Sequence, residues 1–139
     1  MLMTTEDKLA QGTWTDLALG YDQVLARLPD ALKAEGFGII TQVDMQETLK
    51  AKLGVSFRRY RILGACNPGL AHKALLQDPK VGVLLPCNVV VYENDNGNAT
   101  VGAVDPMATL GAGAQPGALG ELARDVAARL HRVLQGLSS

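Results

Sequence analysis

Apolar and polar residues alternate along this chain with two different periods, which divide it into short strands and helices. Thr13 to Leu19 alternates weakly around Trp14 and reads as a first strand. From Tyr21, apolar residues recur at Tyr21, Val24, Leu25, Leu28 and Leu32, the spacing of one helix face, so Tyr21 to Glu35 reads as an amphipathic helix closed by Gly36. Pro29 lies inside it. An interior proline removes a hydrogen bond and costs about 3 kcal/mol, which predicts a kink or a split at that point. Phe37 to Val43 alternates as a strand. Asp44 and Glu47 then supply a D-x-x-E capping box for a helix from Met45 to Leu53, closed by Gly54, with Met45, Leu49 and Leu53 expected to face inward.

The middle of the chain carries the clearest signals. Phe57 to Cys66 reads as a strand, with Tyr60, Ile62, Gly64 and Cys66 on one face and Arg59, Arg61, Leu63 and Ala65 on the other. Asn67 is a good N-cap and Pro68 suits a first helical position, so a helix is expected directly after Cys66. It runs to Gln77, where Asp78-Pro79 stops it, and its expected buried stripe is Leu70, Ala71, Ala74 and Leu75. Val83 to Leu85 is apolar, Pro86 interrupts, and Cys87 to Glu93 is a β-branched strand. Asn96-Gly97 is the pair expected in a two-residue type I′ hairpin. That turn would set Tyr92 opposite Val101, Val91 opposite Gly102 and Val90 opposite Ala103, with the return strand running from Ala99 to Val104.

Asp105-Pro106 ends the strands, Met107 to Leu110 suggests one turn of helix, and Gly111 to Gly117 is a loop of small residues. The last helix is expected over about Ala118 to Leu134, with Leu119, Leu122, Val126, Leu130 and Val133 on one face. Acids lead it and arginines follow, as the helix dipole prefers. Strands mixed with helices, including one hairpin, predict an α+β domain of two layers, a largely antiparallel sheet with helices packed on one face. Residues 1–12 are polar and unpatterned and read as a mobile lead-in, leaving 13–139 as a single domain.

Composition narrows the function classes. The 139 residues are 47% hydrophobic and 19% charged with a net charge of -1, which lacks the positive excess that nucleic-acid binding requires. Aromatics are sparse, at one Trp, three Tyr and two Phe, which argues against base-stacking platforms. No stretch has the length of a membrane span, and the N-terminus does not read as a signal peptide, so a soluble, cytoplasmic protein is the expectation. In that compartment two cysteines are more often buried thiols than a disulfide.

The segments GFGII, TLKAKLG, YRILGACNP followed by Ala71, LLPCNVVVYE, and Val104-Asp105-Pro106 occur here in order. In this, from about Tyr21 to the C-terminus, the chain resembles the domain-of-unknown-function family numbered 302, small bacterial and archaeal proteins. The motifs GACNP and LLPCNV carry the resemblance. It implies a compact α+β fold and a homodimer, with no established reaction and no catalytic residues to carry over. Pro29 and the glycine-rich loop near Gly111 depart from the family pattern.

Candidate chemistry concentrates in Gly64 to Glu93. Cys66 ends a strand beside a helix N-terminus, where unpaired amide donors favour a thiolate. Cys87 opens the next long strand. Antiparallel strands would bring the two cysteines to one end of the sheet, and parallel strands would separate them. His72 lies one turn into the helix, but Cys66, His72 and Cys87 match no structural zinc spacing, and a surface histidine is the plainer reading. His131, late in the last helix, reads as a complement to the dipole. Asn88 has no local structural explanation. Lys50, Lys52, Arg58, Arg59 and Arg61 form the densest basic cluster; Arg58, Arg59 and Arg61 are the weaker candidates, for an anion. The loop at Gly111 misses the G-x-G-x-x-G spacing of a dinucleotide site.

These residues support two main readings. The first is a non-enzymatic homodimeric module binding a small ligand or partner protein at Cys66, Asn67, Cys87 and Asn88, with no cofactor. The second is a thiol protein, redox-active or handling a soft metal, that uses Cys66 and Cys87. A weaker third is an enzyme acting on an anionic metabolite held by the arginines.

Overall fold

The β-branched and small residues of five segments pair into one sheet, described in a computed structural model over residues 12–109 and 117–138. The strands are β1 (Gly12–Asp16), β2 (Gly38–Asp44), β3 (Tyr60–Cys66), β4 (Cys87–Glu93) and β5 (Ala99–Val104). Their spatial order is β1-β5-β4-β3-β2, and every neighbouring pair is antiparallel. The helices are α1 (Tyr21–Ala34), α2 (Met45–Leu53), α3 (Pro68–Gln77) and α4 (Ala118–Leu137), with a 3-10 segment at Pro79–Leu84 between α3 and β4. The two-layer α+β expectation is therefore met. Of the expected lead-in 1–12, Gly12 instead opens β1; residues 1–11, Leu110 and most of the small-residue loop, 111–116, lie outside the described residues.

Alternation along the strands selects the core face. Leu63 and Ala65 of β3, Val89 and Val91 of β4, and Ala99, Val101 and Ala103 of β5 are buried together with Val24, Leu28 and Leu32 of α1 and Val126, Leu130, Val133 and Leu134 of α4. The long α4 lies beside α1 on this face and also touches α3. Arg129 of α4 ties that helix to the end of α1, donating to the Glu35 carbonyl at 3.0 Å from Nη1, and pairs within α4 with Asp125 at 2.8 Å from Nε.

Four local expectations are corrected. Pro29 does not split α1, which is continuous from Tyr21 to Ala34; the proline is on the exposed side while Leu28 and Leu32 seat the helix. Helix α2 has the expected bounds, its Asp44 cap accepting from the Glu47 amide at 3.0 Å, but it buries no residue, and Leu53 is 68% exposed. Of the stripe expected on α3 only Ala74 is buried, and Leu75 is exposed.

The hairpin register differs by one residue. Tyr92 faces Thr100, Val91 faces Val101 and Val90 faces Gly102. The turn is longer than two residues. Asn94 donates its amide to the Asn98 carbonyl at 2.8 Å, Gly97 donates to the Asn94 carbonyl at 3.0 Å, and Asn94 Oδ1 accepts from the amides of Asn96 and Asn98. Only Gly97 takes a positive φ, of 80°, whereas a type I′ turn needs positive φ at both central residues. A one-residue change of register moves side chains to the other face, so this turn decides which residues of β5 enter the core.

Candidate functional site

The antiparallel pairing of β3 with β4 brings the two cysteines to one end of the sheet. Cys87 stands opposite Ala65, and Cys66 is the next residue along β3. Here the chain leaves β3 for α3. Asn67 Oδ1 accepts from the Leu70 amide at 3.2 Å, and Pro68 occupies the first turn, so the helix begins immediately. The Asn67 side chain also lies against Gly36, which has a φ of 86° and too little space for a Cβ.

Both cysteines and Asn67 line one cleft between the strand ends, α3 and α4, with a volume of about 40 Å³. Leu70, Ala71 and Ala74 supply the α3 wall, Leu84 and Pro86 a second, and Leu122 and Val126 of α4 the floor. None of its lining residues among those described is Asp, Glu, His, Lys or Arg. At roughly 10–15 Å³ per enclosed water the cleft has room for a few waters or one small alkyl group, well below the roughly 300 Å³ of a metabolite pocket. Leu75, Leu76, Val83 and Leu84 are exposed on the two elements bordering it, Val83 at 86%.

Burial, with the neighbouring Cys66 as a smaller cause, pushes the Cys87 thiol up to about 11. Both cysteines are free thiols. His72 is exposed on α3, and no group of three or more His, Cys, Asp or Glu able to hold a metal occurs among the described residues. His131 lies in α4 two turns before its end at Leu137, where the dipole has largely faded.

Asn88 is brought elsewhere. It pairs with Gly64 on the sheet face away from α1 and α4, is exposed, and borders a shallow hollow with Trp14, Val90 and Gly102. Three of the four residues singled out for ligand binding thus share one cleft, and the fourth belongs to the opposite face. The arginines stand at the other end of the sheet and have acidic partners. Arg58 meets Asp95 at 3.1 Å, Arg59 meets Asp22 and Glu93 at 2.9 Å each, and Arg61 meets Asp44 at 3.5 Å.

Sequence reasoning did not single out the aromatic group on that opposite face. Tyr60 and Tyr92 stack with ring centroids 5.5 Å apart, Trp14 meets Tyr92 edge-on at 6.2 Å, and Phe57 approaches Tyr60 at 6.0 Å. The available signal was the run Val89-Val90-Val91-Tyr92, apolar at every position, which is how a strand covered on both faces reads.

The family model described as "Domain of unknown function DUF302" matches residues 15–137. The chain belongs to the DUF302 family. It is also similar to a crystal structure of an uncharacterized conserved DUF302 protein from Bacillus stearothermophilus, with a TM-score of 0.83, 34% identity, and coverage of 93% of this chain and 98% of that one. A search of curated proteins finds no match. Of the two segments, GACNP contributes Cys66 and Asn67 to the cleft and LLPCNV contributes Leu84, Leu85, Pro86 and Cys87. Gly64 cannot carry a side chain because a Cβ would collide with Thr41 Oγ1 and with Pro86.

Proposed function

We propose that this DUF302 chain is a non-enzymatic homodimeric module that holds a small apolar ligand, or an apolar group of a partner protein, in the Cys66–Asn67–Cys87 cleft. The observation that carries the reading is the character of the cleft: it is apolar, narrow and bordered by exposed leucine and valine side chains, and among the described residues no carboxylate, imidazole, amine or guanidinium lines it. Such a cleft suits dispersion contact with an alkyl group and offers a reacting one no ionisable side chain but the two thiols.

Thermal melting with the n-alkanols from butanol to octanol tests it. A saturable rise in Tm is expected that is absent in Ala71→Leu, which fills the cleft from its α3 wall, because a ligand bound only by the folded state raises stability. No rise, or the same rise in A71L, would reject the reading.

The second reading, thiol chemistry at Cys66 and Cys87, draws support from the two thiols lining one cleft. The high pKa of Cys87 disfavours it, since the thiolate is the nucleophile and the metal ligand. No helix among the described residues is long and apolar enough to cross a membrane.

A further inference from the structure

The face of the sheet turned away from α1 and α4 has an unusual composition for one left to solvent. One row of paired residues runs across all five strands as Trp14, Gly102, Val90, Ile62 and Val43. Every member is apolar or glycine. The adjacent row is Asp16, Thr100, Tyr92 and Tyr60, in which Asp16 on the edge strand is the one charged residue. A solvated antiparallel face ordinarily places polar residues at these outward positions.

The relief is as informative as the composition. The rings of Trp14, Tyr92, Tyr60 and Phe57 pack against one another into a ridge, with Tyr60 and Tyr92 nearly parallel at 8°. Beside it a hollow of about 220 Å³ is bordered by Gly12, Asn88, Val90 and Gly102, together with the flank of Trp14. Gly102 must be glycine because the Trp14 ring lies where its Cβ would stand. Rings already stacked on one another do not present the open flat faces that a planar or sugar ligand would need. A ridge next to a hollow can receive a second copy of itself, and the Arg58 guanidinium, 5.7 Å from the Tyr92 ring centroid, borders that ridge.

We propose that this face is the surface on which a second copy of the chain docks, each copy setting its Trp14–Tyr92–Tyr60 ridge into the hollow of the other about a two-fold axis in the sheet plane. The homodimer of the preceding reading is the premise, and the face is the new assignment. Two-fold contacts use the same patch on both copies, as a ridge-and-hollow surface allows. Five strands at roughly 4.8 Å spacing and about 20 Å of strand outline a face of on the order of 480 Å² per copy, which sets the contact at the small end of specific interfaces. Phe57, exposed in the segment that leads to β3, extends the apolar surface beyond the strands through its contact with Tyr60.

Trp14 is the single tryptophan, so its emission reports on this face directly. The test combines sedimentation of the full chain over nanomolar to tens of micromolar concentration with Trp emission across the same series. The expected result is a species of twice the 14.7 kDa chain mass that dissociates on dilution, with Trp14 emission shifting to longer wavelength as it does. Val90→Lys is expected to weaken the dimer roughly thirtyfold or more, as loss of a central interface contact does. Val43→Lys, at a position already 42% exposed, retains the fold and is expected to weaken it in the same direction, so the proposal is tested even if V90K does not fold.

A single-chain mass at every concentration would overturn both the homodimer and the face. A dimer whose affinity is unchanged in V43K would overturn the face alone. Trp14 emission independent of concentration would mean that something else covers the face, and would also overturn it. Neither variant touches the Cys66–Cys87 cleft, so the alkanol response stands or fails separately.

Discussion

Cys87 shows how a single position limits the chemistry open to the molecule. It projects to the helix side of β4 opposite Ala65, and burial raises its pKa from 9.0 to about 11. Because the folded value lies above the unfolded one, the native state keeps its proton longer, and the associated stability is fully present below about pH 9 and is lost as pH rises toward 11. The loss at Cys87 is on the order of 2 kcal/mol. Denaturant unfolding between pH 8 and about 11 is expected to fall more steeply in the wild type than in Cys87→Ala, and equal slopes would count against the buried thiol. Asn67 was legible as a cap, since a cap is a contact between residues three apart in sequence. Gly64 was not, because the groups that exclude its side chain, Thr41 and Pro86, approach from two other segments.

At the scale of elements, helices with similar caps have unlike roles. In α1, Val24, Leu28 and Leu32 are wholly buried, whereas α2 buries nothing and its Leu53 stands in solvent. Leu28→Ala is therefore expected to cost about 2–5 kcal/mol in chemical denaturation, the range for a large core side chain cut to a methyl, while Leu53→Ser stays within about 0.5 kcal/mol. A large loss in L53S would show that α2 packs more tightly than its exposure indicates. Helix bounds were readable because Asn67, Asp44 and Gly54 act within one turn of themselves. Burial was not, because apolar spacing in α2 and α3 marks a face without saying what meets it. The hairpin shows the same limit: Asn96-Gly97 marks a turn, yet Asn94 closes it by bonding both Asn96 and Asn98, and that decides the register.

Across the whole molecule, the sheet separates two surfaces. One strand end carries the thiol cleft against α3 and α4, and the face away from the helices carries the aromatic ridge. Sequence reasoning reached the α+β class and named Cys66 and Cys87, but whether they met depended on strand direction, which neither strand encodes alone. It also took Asn88 with Cys87 as neighbours, although successive strand residues point to opposite faces. The ridge escaped notice because Trp14, Phe57, Tyr60 and Tyr92 come from three separate segments.

The central claim is that the cleft between the cysteines accepts an alkyl group. Alkylation of the native protein by iodoacetamide at neutral pH, read at each cysteine by mass spectrometry, tests this at the site itself. Cys66 is expected to label and Cys87 to resist. Hexanol is expected to slow labelling of Cys66 several-fold in the wild type, and A71L to slow it without the probe and to abolish the response. A Cys66 labelling rate indifferent to hexanol, or slowed equally by it in A71L, would contradict the account.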